Sequence, residues 1–112
     1  MSQIVVVGSF KAREGKEEEA VEAFKALVQP THDEDGCILY ALNRGVDDPR
    51  DLCFVERWAS IAAHDAHMES DHIKAILGRV EDLFGDDASI VRYAEVPHGE
   101  PTKGSLSVHA GG

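Results

Sequence analysis

Two stretches of helical periodicity, each set between β-branched apolar runs, constrain this chain more than any other feature. Ile4 to Ala12 reads as a strand, because Val5, Val6 and Val7 are β-branched and Gly8 and Gly15 bound the run. Both faces are apolar near its start, so both should be covered. From Lys16 to Gln29, Ala20, Phe24, Leu27 and Val28 recur at helical spacing beside a Glu-rich face, and Glu17, Glu18 and Glu19 occupy the turn where the helix dipole favours anions. Pro30 is predicted to stop this helix. A polar connection, Thr31 to Gly36, leads to a second strand, Cys37 to Arg44. Asp47, Asp48 and Pro49 supply turn chemistry before a third strand, Leu52 to Trp58, which makes an antiparallel hairpin. Ser60 can cap a helical segment from Ile61 to Met68, and Asp71 can cap a second. There Ile73, Ile76, Leu77, Val80, Leu83 and Phe84 form one long apolar stripe ending at Gly85. Ser89 to Val96 is the fourth strand.

The order β-α-β-β-α-β predicts an α+β domain of ferredoxin-like (split βαβ) layout, a four-stranded antiparallel sheet with two helices on one face. At 112 residues there is room for one core only. Residues 1–96 make up the domain. Residues 97–112, with Pro97, Gly99, Pro101, Gly104, Gly111 and Gly112, form a tail that is flexible or exchanged with a partner, and Ser105 to His109 alternates as an edge strand would. Helices on one face leave the other to explain. Since the strands carry Val, Ile, Leu, Cys and Phe in both registers, two sheets are expected to pack together in a homodimer.

Asp and Glu number 21 against 11 Lys and Arg, a net charge of −10. Nucleic acid requires a basic stripe to displace counterions, and anionic membrane surfaces repel an acidic chain, so neither is an expected partner. No segment has the pattern of a signal peptide or a membrane span, and cytoplasmic residence is expected. Cys37 and Cys53 lie in strand candidates. Reduced, buried thiols fit that compartment, with a bridge between adjacent strands as the alternative.

Two constellations can carry chemistry. In Phe54-Val55-Glu56-Arg57-Trp58, strand alternation puts Phe54, Glu56 and Trp58 on one face. A carboxylate between two aromatics on a core face must be paired or protonated, and desolvation raises its pKa. It is either a site residue or a structural carboxylate bonded to histidine or backbone. In the second, His64, His67 and His72 fall within nine residues beside Asp65 and Asp71. His64 and His67 can share a helix face. No pair has the i, i+4 spacing of the helical zinc motif and no cysteine is near, so no metal is expected. Pairing of one histidine with Glu56 as a titratable couple is the favoured role, and His64 best suits a solvated or capping position. Tyr40 offers a hydroxyl beside apolar walls, or simply packing. Dinucleotide, phosphate-loop and C-x-x-C signatures are absent, so no cofactor is expected.

From Gly36 to Val80 the pattern resembles the antibiotic biosynthesis monooxygenase family. The resemblance lies in Gly36-Cys37-x-x-Tyr40, in Val55-Glu56-Arg57-Trp58-Ala59-Ser60, in Ala66-His67-Met68 and in His72-Ile73-Lys74, and it extends to about residues 3 to 96. It implies a dimeric α/β barrel with a pocket between sheet and helices. It also implies cofactor-independent oxidation, by molecular oxygen, of quinol-like or polyphenolic molecules that reduce oxygen as carbanions. Carried over, His67 and His72 would help deprotonate a phenol, Glu56 would orient a histidine, and Trp58, Tyr40 and Phe54 would bind substrate. The haem-degrading branch needs an Asn where Gly8 stands and a His where Leu77 stands, which disfavours it. Two rivals remain: a non-catalytic metabolite-binding dimer, and an isomerase of a small anionic sugar. The latter would require Arg44, Arg57 or Lys74 to point inward.

Overall fold

The computed structural model describes residues 3–106. The elements run β1 (Ile4–Lys11), α1 (Glu17–His32), β2 (Cys37–Arg44), β3 (Asp51–Trp58), α2 (Ile61–Met68), α3 (Asp71–Leu77), α4 (Val80–Phe84) and β4 (Ala88–Tyr93). The strands form one antiparallel sheet in the order β2-β3-β1-β4, the ferredoxin-like arrangement that the pattern predicts.

Four local expectations are corrected. Pro30 lies inside α1 rather than ending it. A proline removes only its own N–H, and in the last turn the residues after it still donate, as Asp33 N does to Gln29 O at 3.1 Å. The cap before α3 is Ser70, whose hydroxyl accepts from Ile73 N, and Asp71 is the first helical residue. The single long stripe breaks at Gly78 and Arg79 into α3 and α4, because glycine is the weakest helix former among the non-prolines. β4 stops at Tyr93, and Glu95 turns away to pair with Arg57 (Nη1–Oε1 2.7 Å).

The core sits between helices and sheet. Val6, Phe24, Leu27, Leu52, Phe54, Trp58, Leu83 and Phe84 are all buried there. Phe24 is its hub, with ring centroids 5.0 Å from Phe10, 4.9 Å from Phe54 and 4.8 Å from Phe84. Strand alternation leaves Val5, Val7, Leu39, Ala41, Val55, Val91 and Tyr93 on the opposite face. Cys37 and Cys53 are free and half-buried rather than buried. Their cross-strand neighbours are Trp58 and Asn43, so the two thiols are too far apart along the ladder to bridge. Within the tail, Ser105 Oγ and Leu106 N each donate to Glu95 at 2.8 Å. The rest of the proposed edge strand, Ser107 to His109, lies outside the described residues.

Candidate active site

β3 delivers Phe54, Glu56 and Trp58 to the helix-covered face, and the ladder sets Tyr40 and Val6 on either side of Glu56 and Gly8 beside Phe54. Above them α2, started by the Ser60 hydroxyl accepting from Ala63 N, turns His64 and His67 inward, their ring centroids 5.9 Å apart. A cavity of about 50 Å³ lies in this layer. Gly8, Phe24, Tyr40, Phe54, Glu56, His64, His67 and Met68 line it, and Leu77, Val80 and Ile90 form its outer wall. Gly8 leaves room where a side chain would intrude: a Cβ there would stand 3.1 Å from the Phe10 ring and 3.7 Å from Glu56 Oε2.

Trp58 Nε1 donates to Glu56 Oε1 at 2.8 Å. Burial nonetheless dominates, and with some repulsion from Glu34 it pushes the Glu56 carboxyl up to about 7. Trp58 itself is fully buried behind the cavity and does not line it; it is a support rather than a wall. The imidazole facing Glu56 is His64, with Nε2 4.0 Å from Oε1, too long for a hydrogen bond. His64, expected at the surface, is 2 % exposed, and neither ring nitrogen has a hydrogen-bond partner among the described residues. Desolvation, reinforced by the Arg92 charge, lowers its pKa to about 4 and keeps it neutral. Burial, then the Glu56 charge, holds the Tyr40 phenol protonated well above its ordinary value.

The predicted pairing of Glu56 with His67 or His72 does not form. Both histidines meet Glu34 instead: His67 Nδ1 lies 2.8 Å and His72 Nε2 2.7 Å from its Oε2. Sequence reasoning missed Glu34, which reads as part of a polar loop. Its placement follows from Gly36, at φ +86°, where a Cβ would come 2.6 Å from Ala63 Cβ. Only glycine lets this loop close onto α2, and just ahead of that helix Gly36 O accepts from Ala59 N at 2.8 Å.

Of Arg44, Arg57 and Lys74, one of which a sugar isomerase would need to point inward, none lines the cavity. Arg44 bonds Glu18 and Pro49 O, Arg57 bonds Glu95 and Gln3 on the other side of the sheet, and Lys74 pairs with Glu69. The lining offers aromatic rings, aliphatic side chains, one carboxyl and two imidazoles.

The family model described as antibiotic biosynthesis monooxygenase matches residues 3–79. The chain belongs to the antibiotic biosynthesis monooxygenase family. Among solved structures, the protein SO0527 from Shewanella oneidensis is 39% identical, with a TM-score of 0.78 over 82% of this chain and 89% of that one. YcnE of Bacillus subtilis, provisionally named a monooxygenase, is 27% identical over 89 residues, 80% of this chain and 94% of that protein. The uncharacterized protein sll1783 of Synechocystis is 29% identical over 90 residues, 80% of this chain. This chain spans 61% of that relative's length. The family's shared fold is the one described above, and among the described residues no helix is long and apolar enough to cross a membrane.

Proposed function

We propose that this member of the antibiotic biosynthesis monooxygenase family oxidises a small quinol-like or polyphenolic molecule with molecular oxygen, without metal or flavin in the chemical step. The observation that carries this reading is the gap between Glu56 and His64. A buried carboxyl tuned to about 7 faces, across 4.0 Å of an aromatic-lined cavity, a neutral imidazole whose two nitrogens have no partner among the described residues. A substrate hydroxyl there donates its proton to ionised Glu56, whose pKa matches neutral pH, and its oxygen accepts from the His64 ring. The resulting anion passes an electron to oxygen, the radical pair combines at carbon, the peroxide anion so formed takes back the proton held by Glu56, and the hydroperoxide loses water. Anthrone, reacting as its enol, illustrates the balance: relative to the ketone, one oxygen atom enters the product as the new carbonyl, and the other leaves in water with the two hydrogens lost from carbon. The four electrons all come from the substrate, so no external reductant is needed.

A cavity of about 50 Å³ accommodates dioxygen or a water, whereas a bicyclic substrate needs several times that space. Entry therefore displaces the outer wall, where Leu77 is 53% and Ile90 45% exposed and the α3–α4 break at Gly78 supplies the give. The test is oxygen consumption with anthrone and with reduced naphthoquinone. Turnover with one oxygen molecule consumed per product is expected; saturable binding of these compounds without consumption would leave a metabolite-binding protein instead.

The open sheet face supports a homodimer as part of the same reading. Val91 and Tyr93 stay 40% and 50% exposed next to Val7 and Val55, an apolar surface that a second sheet would cover. Val55→Asp should convert the protein to a monomer in sedimentation experiments, since two carboxylates would be buried near the two-fold axis. A parent chain already monomeric at micromolar concentration would sink this part.

A further inference from the structure

We propose that Glu34, His67 and His72 form a binding site for a divalent first-row transition-metal ion of the zinc type. The three side chains come from the α1–β2 loop, the end of α2 and the start of α3, and their donor atoms lie within 4.8 Å of one another. Two imidazoles and one carboxylate make a donor set that such ions favour. A bound ion with bonds of about 2.1 Å holds neighbouring donors roughly 3.0–3.4 Å apart. The present separations of 2.8 Å and 2.7 Å about Glu34 Oε2 fall short of this by about 0.2–0.7 Å, and the two histidine nitrogens lie within 4.8 Å of each other, so small side-chain shifts would complete the set.

Charge is the second, independent argument. The Glu34 side chain is only 17% exposed, and its sole ion-pair partners among the described residues are these two histidines. His67 is itself buried, with 3 % of its side chain exposed. A largely buried carboxylate without a permanent cation beside it is a poor arrangement for a protein and a good one for a divalent ion. His72, at 21% exposure, leaves a route from solvent. The Ser70 hydroxyl fixes the turn that presents both histidines, donating to His67 O at 2.7 Å and lying 3.2 Å from His72 Nε2. Spacing along the sequence hides this set because its third ligand is more than thirty residues upstream.

Ligation of His67 through Nδ1 would leave the ring proton on Nε2 and lock the orientation of a cavity-lining residue. The site is thus placed to stiffen one wall of the cavity from behind. The inference does not depend on the proposed oxidation, because its readout is binding.

The full chain, stripped of metal with a chelator, is titrated with zinc chloride in a calorimeter, and histidine ring resonances are followed by NMR. One ion per chain is expected, with the His67 and His72 signals shifting together. Glu34→Gln and His72→Ala should each weaken binding by at least about tenfold, the lower end of what outer-shell changes alone produce, while His98→Ala, an exposed control, should leave it unchanged. Circular dichroism checks that each variant is folded; Glu34→Gln, isosteric and at a loop, carries the test should His72→Ala lose structure. Absence of saturable binding at millimolar zinc, or affinity that survives both substitutions, overturns the assignment.

Discussion

Replacing Glu56 with glutamine is expected to stabilise the fold by about 3 kcal/mol at pH 8 while slowing oxygen consumption about a hundredfold. The amide keeps an acceptor for Trp58 Nε1, so the packing around the 2.8 Å hydrogen bond survives. What disappears is a buried carboxyl held at about 7 instead of the 4.5 of the free side chain. Below pH 4.5 the group is protonated folded or unfolded, and the two proteins should be equally stable. Between 4.5 and 7 only the unfolded chain ionises, so the parent loses stability as pH rises, at about 1.4 kcal/mol per pH unit. Above 7 the full difference persists.

His64 works in the opposite direction. Its pKa falls from 6.5 to about 4 on folding, so its contribution is intact above pH 6.5 and is lost as pH drops toward 4. In the parent these slopes offset one another between about pH 4.5 and 6.5. Glu56→Gln leaves the histidine slope alone, so its stability should climb with pH through that window and then level off. Urea unfolding from pH 4 to 8.5 measures both curves. Parallel curves would mean that Glu56 does not titrate in the folded protein as its burial demands.

Trp58→Ala should be the most damaging single change in the cavity layer, at about 4 kcal/mol of unfolding free energy. The indole is fully buried and backs both inward-facing histidines, with ring centroids 4.7 Å from His67 and 5.9 Å from His64. Trp58→Phe separates its two jobs. The phenyl ring retains much of the packing but cannot donate to Glu56, leaving a buried acceptor without its partner, a loss of about 1–3 kcal/mol. Because that hydrogen bond favours the charged carboxylate, its loss should weigh more at pH 8 than at pH 5. Chemical denaturation at the two pH values provides the comparison, and an equal penalty at both would disconnect Trp58 from the ionisation of Glu56.

Much of the architecture is legible in the chain because periodicity is a local property. Val5 to Val7, the Phe54-Glu56-Trp58 alternation and the Ala20-Phe24-Leu27 stripe each announce their element, and the order of elements leaves few ways to connect them. The helix ends are less legible: Pro30 reads as a stop but sits where losing one donor matters little. The site is half legible. Glu56 on a core face follows from alternation, and His64 and His67 sharing a side follows from their spacing. Which side they share depends on how α2 lies on the sheet, and that is why His64 looks solvent-bound in the sequence yet is buried in the fold. Glu34 is invisible for a different reason: a glycine two residues later, closing against Ala63, decides where the loop goes.

The outer wall of the cavity has a wider consequence. Glu56 on β3 and His64 on α2 lie well within the stretch that matches the family, residues 3–79, whereas Val80 and Ile90 lie beyond it and Leu77 close to its end. The groups to which the chemistry is assigned under the proposed function, and most of the wall assigned to entry, thus lie in separable parts of the polypeptide. On the proposed function, substitutions at Leu77, Val80 or Ile90 would change which molecules are admitted while leaving Glu56 and His64 in place. A chain built this way could change what it admits by editing the doorway alone.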